Sequence, residues 1–148
     1  MIFQSETLYE IIDEMDELLS LHYDELTLNK AKVKLDPMWE NYARLENLGF
    51  FKVFTARDDE KLVGYNAFFL NKHLHYASLT VAQNDVLFLH PAYRQGLTGV
   101  KLLRFSEAQL KEMGAEKILY HVKFSKDIRP ILHRMGYSDE EVMVAKFV

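Results

Sequence analysis

VLFLHPAYRQGLTGVKLL, residues 86–103, holds the densest local information in the chain. An apolar run ends at Pro91, and a short loop follows with Arg94, Gly96 and Gly99. An apolar-periodic segment starts directly behind that loop. A strand-to-helix turn of this kind leaves the N–H groups of Gln95 to Val100 without intrahelical partners, because the first turn of a helix has no carbonyls behind it. The helix end also carries roughly half a positive charge. Gly96 and Gly99 keep Cβ atoms out of the path of a bulky anion. With Arg94 as a charged donor, the stretch has the make-up of an oligophosphate cradle. A plain loop and helix start has much the same composition, so Gly-x-x-Gly alone does not discriminate. The loop is too short for a P-loop, and no Lys-Ser/Thr follows the second glycine. No Gly-x-Gly-x-x-Gly is present, which speaks against a dinucleotide fold.

Working outward, FFKVFTAR (50–57) predicts a strand, Asp58-Asp59-Glu60 a polar turn, and KLVGYNAFFL (61–70) its antiparallel partner. HLHYASLTV (73–81) predicts a third strand and DVLFLH (85–90) a fourth, ending at Pro91. Beyond the cradle, a helix over Gly99–Met113 stops at Gly114, and KILYHV (117–122) predicts a fifth strand. Asp127–Met135 predicts a short helix ended by Gly136, and VMVAKFV (142–148) a last strand. Toward the N-terminus, Leu8, Ile11, Ile12, Met15, Leu18 and Leu19 form one amphipathic stripe, with Ser5 and Glu6 suited to its cap and first turn. Asp36-Pro37 opens a second helix through Trp39, Tyr42, Leu45 and Leu48 to Gly49. The order ααββββαβαβ predicts a mixed α+β fold, one domain over 1–148, with helices packed on one main sheet.

Composition narrows the class. The 148 residues are 49% hydrophobic and 27% charged, as in ordinary globular domains. No run approaches the roughly 18 apolar residues of a membrane span, and MIFQSETLYE lacks the pattern of a secretory signal. A cytoplasmic location is the expectation. There is no cysteine, so disulfides, thiolate metal sites and cysteine nucleophiles are out. The net charge of −4 speaks against a nucleic-acid binder. The charge is uneven: residues 1–28 hold eight acids and no Lys or Arg, whereas Arg94, Lys101 and Arg104 are the only charges between 94 and 104. That polarity suits a cationic substrate and an anionic cofactor, although a solvated acidic helix face has the same composition.

HPAYRQGLTGVKLL resembles the acetyl-CoA-binding motif of GNAT acetyltransferases, Arg/Gln-x-x-Gly-x-Gly/Ala between the fourth strand and third helix of that family. Counting from Arg94, Leu97 stands at the usual first glycine, Gly96 lies one residue early, and Gly99 is in place. GNAT-like proteins of tailed bacteriophages and prophages show this shifted variant. The resemblance extends through His22-Tyr-Asp-Glu25, Asp36-Pro-Met-Trp39, Leu62-Val-Gly-Tyr65, His73-Leu-His-Tyr76 and Arg134-Met-Gly-Tyr137. It implies a mostly antiparallel sheet of six to seven strands flanked by about four helices, and an acetyl-CoA-dependent N-acetyltransferase with acetyl-CoA as cosubstrate. A phage origin would place it in the host bacterial cytoplasm. The acceptor is a primary amine of a small molecule or protein; neither nucleic acid nor membrane is implied as a partner, and a homodimer is admissible. By the same resemblance, Leu87, Phe88 and Leu89 offer backbone groups to the pantetheine arm. Gln95, Gly96, Leu97, Thr98, Gly99 and Val100 hold the pyrophosphate, flanked by Arg94.

The chemistry sets the search for catalytic groups. A lysine-like amine is on the order of 0.1% neutral near pH 7, a cost of roughly 4 kcal/mol that a base or a desolvating pocket must offset. Asp85 begins the predicted fourth strand, near the family's carboxylate base. His73 and His75 share one face of the predicted third strand, and His75 suits general-base work. The pair lacks a third ligand, so no metal is expected. The family's leaving-group acid is a tyrosine four residues before a Gly-Phe pair; here Gly136-Tyr137 fills the pair and Leu132 the tyrosine position. Tyr120 is the alternative hydroxyl. Trp39 and Tyr42 are candidates to line the acceptor pocket or to pack the core. The missing tyrosine keeps a second expectation open: a GNAT-fold interaction module, weakly catalytic or inert, that binds a host protein.

Overall fold

Phe51–Asp58 (β2) and Lys61–Lys72 (β3) alternate side chains between two covered faces and pair antiparallel across a tight turn, where Asp59 takes a left-handed φ of 51°. Around this hairpin the sheet grows in simple order. Ile2–Glu6 (β1) lies along β2, Thr80–Leu89 (β4) along β3, and Lys117–Leu119 (β5) along β4. All pairings are antiparallel except the last. This computed structural model describes all residues, 1–148. Leu8–Leu26 (α1) and Trp39–Asn47 (α2) cover one face, Thr98–Glu112 (α3) covers the other, and Arg129–Arg134 (α4) follows β5. No helix is long and apolar enough to cross a membrane.

Each face has its own core, because strand side chains alternate. Leu8, Ile11, Met15 and Leu18 of α1 pack with Phe51, Val53, Leu62, Tyr65, Ala67 and Phe88. Leu102 and Leu110 of α3 pack with Phe54, Ala56, Val63, Phe68, Leu70, Ala82 and Leu89. The mixed α+β class and the α1 stripe therefore hold as expected. Two bulges reset the alternation: Val63 is the extra residue opposite Ala56/Arg57, and Asp85 the extra residue opposite Ala67/Phe68.

Four expectations are corrected. Ser5 does not cap α1: Ser5 and Glu6 belong to β1, and Thr7 caps the helix in a reciprocal box with Glu10. The partner of β1 lies some fifty residues away, so nothing local marks it as a strand. Residues 73–81 are not a separate strand. His73–Leu79 is the β3–β4 connection, closed by His73 N–H donating to Leu79 O at 2.9 Å, and Thr80–Leu89 is one continuous strand. Long β3 sets this, because its last pair is Lys72 with Thr80. The fifth strand is three residues long, not six. Val142–Val148 forms no ladder and is exposed, Val144 at 90%; apolar alternation makes a strand only where an edge accepts it. The sheet thus has five strands rather than six to seven.

Candidate active site

The site starts where two strands part. β4 and β5 pair in parallel only from Val81 with Lys117 to Gln83 with Leu119. Beyond Gln83, β4 continues to Leu89 with β3 on one side and no strand on the other. His90 N–H donates to Val63 O at 2.8 Å, which fixes the phase. Antiparallel backbones turn alternate residues toward the neighbour, so Phe88 points its N–H and C=O at β3, while Leu87 and Leu89 point theirs outward. Phe88 is therefore turned away from the backbone contact that the family resemblance implies for it. The outward Leu89 carbonyl accepts from Arg94 Nε at 2.8 Å.

Next to this open edge lies the cradle. Arg94 N–H donates to Pro91 O and Lys101 N–H to Leu97 O, but no backbone N–H from Gln95 to Val100 finds a protein acceptor. Leu97 caps α3 without a side-chain hydrogen bond. Six consecutive donors at the positive end of a fifteen-residue helix are what a pyrophosphate needs. Gly96 holds φ +77°, a left-handed turn that aims the loop into the helix. Gly99 is not demanded by packing: a Cβ there meets only Leu89 Cδ2, at 3.8 Å. The residues present thus fit the phosphate and pantetheine parts of CoA. Arg94 faces a different partner. Its guanidinium grips Glu25 of α1 with two bonds of 2.7 Å, and Lys126 joins the same carboxylate at 3.2 Å. This pairing holds the Glu25 carboxyl down at about 2.

Catalytic candidates flank the fork. Asp85, the bulged residue, turns toward α2, where Tyr42 Oη donates to its Oδ2 at 2.8 Å. Burial raises the Asp85 pKa, opposed by the Tyr42 bond and the His121 charge. On the α3 face, Asn84 Nδ2 donates to Asn66 Oδ1 at 2.9 Å, and Asn66 Nδ2 donates to both Ser106 Oγ and Tyr120 Oη at 3.0 Å. Tyr120 follows the last paired residue of β5, its ring edge-on to Phe68 and Tyr137. Burial pushes its phenol upward, so it stays protonated, and its own proton donates to no protein acceptor.

The structure thus places Leu87 and Leu89 on the open edge of β4 with the 95–100 loop just beyond it, Asp85 of the same strand on the α2 side and Tyr120, just past β5, on the α3 side. It does not bring His75 there. His75 sits in the β3–β4 connection with its N–H on His73 Nδ1, beyond the far end of a strand that needs five further residues to reach Asp85, about 16 Å at 3.3 Å per residue. No cluster of three or more potential metal ligands forms anywhere in the chain. Leu132 is buried in the core, 4% exposed. One group escaped sequence reasoning. His22, near the end of α1, stacks flat on Phe88 (5.1 Å, 8°) with Nδ1 2.8 Å from Tyr65 Oη. Its only sequence signal was its place in the His22-Tyr-Asp-Glu25 stretch.

Comparison with known proteins gives the family and the fold. The family model for the acetyltransferase (GNAT) family matches residues 12–137, and the chain belongs to that family. No curated protein matches in sequence. Among solved structures, the chain is similar to a ribosomal-protein-alanine N-acetyltransferase from Brucella melitensis biovar Abortus 2308, at TM-score 0.72 and 17% identity over 99% of this chain and 100% of that one. It is similar to an aminoglycoside acetyltransferase from an uncultured soil metagenomic sample, at 0.72 and 17% over 99% and 93%. It is also similar to glucosamine-6-phosphate N-acetyltransferase from Arabidopsis thaliana, at 0.72 and 14% over 99% of both chains. At these identities the likeness is one of fold.

Proposed function

We propose that this protein is an acetyl-CoA-dependent N-acetyltransferase acting on a primary amine of a small molecule or a protein. The observation that carries the proposal is the run of six unpaired N–H groups, Gln95 to Val100, beside the unpaired edge of β4. Bound acetyl-CoA supplies the thioester carbon that the amine attacks. Leu87 and Leu89 offer outward backbone groups to the pantetheine amides and the thioester oxygen. Asp85, oriented by Tyr42, draws in the cationic acceptor and takes its proton; burial makes it a stronger base than a free aspartate. Tyr120, on the opposite face of the fork, supplies a proton to the departing sulfur. The solved relatives named above carry names that specify protein, aminoglycoside and sugar-phosphate acceptors, a range that leaves the amine of this chain to experiment. The shifted glycine spacing supports a phage or prophage origin and work in the bacterial cytoplasm, as a monomer or homodimer.

A second proposal has its own support: Leu132 fills the position of the family's acid, and Arg94 is occupied by Glu25. These favour a GNAT-fold interaction module. Thermal shift with acetyl-CoA tests the cofactor, since ligand at 100 times its dissociation constant stabilises by about 2.7 kcal/mol. No shift at millimolar acetyl-CoA removes the cofactor proposal. Thiol release across an amine panel then tests turnover, and a flat panel with intact binding selects the interaction module.

A further inference from the structure

We propose that His22 is a second general base of the acetyl transfer, its Nδ1 pinned by Tyr65 against the ring of Phe88 and its Nε2 open to the acceptor. This rests on the acetyltransferase proposal above. The chemistry asks for two bases. An ammonium acceptor must lose one proton to gain a lone pair and a second once the C–N bond has formed. The C–S bond breaks with its electron pair on sulfur, which takes up one proton, and the other proton passes to water. Asp85 is suited to the first removal. A single carboxylate, already holding the Tyr42 hydrogen bond, is poorly placed to accept both.

The geometry at His22 is that of a held base. The ring stacks on Phe88 of β4, and Tyr65 Oη lies 2.8 Å from Nδ1. Tyr65 itself is fully buried, so the anchor is rigid. No protein group bonds Nε2, and no buried side-chain nitrogen or oxygen in the chain lacks a partner, so Nε2 reaches solvent. The 2.8 Å contact suits either tautomer; the proposal requires the one in which Nδ1–H donates to Tyr65 Oη, which leaves the Nε2 lone pair free. His22 and Asp85 lie on the same face of the sheet, since Phe88 and Tyr42 both belong to the core under α1 and α2. Three residues of β4, about 10 Å, separate Asp85 from Phe88.

The charged groups facing His22 are Lys123 from beyond β5, Glu25 on its own helix and Arg94 from the cradle loop. Burial, then Lys123, lowers its pKa to about 4; Glu25 acts upward and Arg94 downward. The imidazole is therefore neutral and ready to accept at neutral pH. The second proton is easier to remove than the first, because the nitrogen is more acidic once it bonds the acyl carbon and becomes strongly acidic as the carbonyl re-forms. An anion in the cradle offsets Arg94 and raises the basicity of His22 when the cosubstrate is bound.

Heteronuclear NMR of the imidazole, without turnover, reads the first part. The expected signal is an Nδ1–H tautomer with bare Nε2, neutral down to about pH 5, titrating at higher pH when CoA is added. An Nε2–H tautomer overturns the proposal. Kinetics reads the second part, using an amine that the wild type acetylates. His22→Gln is expected to lower kcat/KM by about 10²–10⁴, with acetyl-CoA affinity by calorimetry within twofold. Tyr65→Phe, which keeps the ring, is expected to cost less and to alter the pH profile. Activity of His22→Gln within threefold of wild type, with an unchanged pH profile, removes His22 and leaves the acetyltransferase proposal standing. A wild type that neither binds acetyl-CoA nor releases thiol removes both.

Discussion

Six successive N–H groups without acceptors are a local debt that a bound anion can settle, and Gly99 is the residue at which to test it. A Cβ at Gly99 meets only a leucine methyl at 3.8 Å, so Gly99→Glu leaves the fold intact while placing a carboxylate where phosphate sits. Loss of acetyl-CoA binding by calorimetry, with an unchanged melting temperature, is the expected outcome; unchanged affinity moves the site elsewhere. Asp85 has a comparable test. Asp85→Asn keeps a polar partner for Tyr42 but removes the base, so kcat/KM should fall by about 10²–10⁴ with acetyl-CoA affinity unchanged. An undiminished rate would pass its task to another group. Arg94 and the glycines were visible in the sequence as a cradle. The Glu25 partner of Arg94 was not, because sixty-nine residues separate the two and only the fold brings α1 over the loop.

At the scale of elements, β4 is the part that matters, and its position is set by how closely β3 can approach it. A Cβ on Gly64 would lie 2.7 Å from Leu89 Cδ1 and 2.9 Å from Phe88 O, and the latter is backbone that cannot swing aside. Gly64→Val should therefore destabilise by about 1–3 kcal/mol, read as a lower denaturant midpoint, and should also weaken acetyl-CoA binding by displacing Phe88 and Leu89. A midpoint equal to wild type would show the ladder to be more compliant than its register implies. The helices, whose 3.6-residue periodicity is a property of ten or more consecutive side chains, were largely legible in sequence. Of the short elements, β1 was not, and β5 was read as a strand but twice too long. β1 and β5 hold five and three residues, and both are strands only because an edge of the sheet meets them. HLHY and VMVAKFV alternate as strands do, but the first is turned by the end of β3 and the second finds no edge.

For the whole molecule, acid should act in two windows. His22 has a folded pKa of about 4 against 6.5 when exposed, so the unfolded chain binds its proton more readily. Its contribution is complete above pH 6.5 and lost as pH falls from 6.5 to 4, on the order of 2 kcal/mol. Glu25, held at about 2 by Arg94 and Lys126, contributes fully above its ordinary 4.5 and loses that between 4.5 and 2. The pair is near the surface, so this second loss is nearer to 0.5–1 kcal/mol. Chemical denaturation across pH 3–8 should show both, and His22→Gln should flatten the upper window only. An unaltered slope in that variant would place the neutral histidine elsewhere.

Sequence by itself determined the α+β class, the amphipathic face of α1, the strand-loop-helix cradle at 86–103 and the family likeness, since each is written in the spacing of neighbouring residues. Tertiary structure alone decided the strand count and the parting of β4 from β5. It decided that the backbone of Leu87 and Leu89, not Phe88, faces outward, and that Tyr42 meets Asp85 and His22 meets Tyr65. Both of those pairs join residues forty-three apart, and hydrogen bonds at that separation depend on how helices lie across the sheet. Periodicity fixes which face a residue takes on its own element; it carries no information about which element arrives opposite.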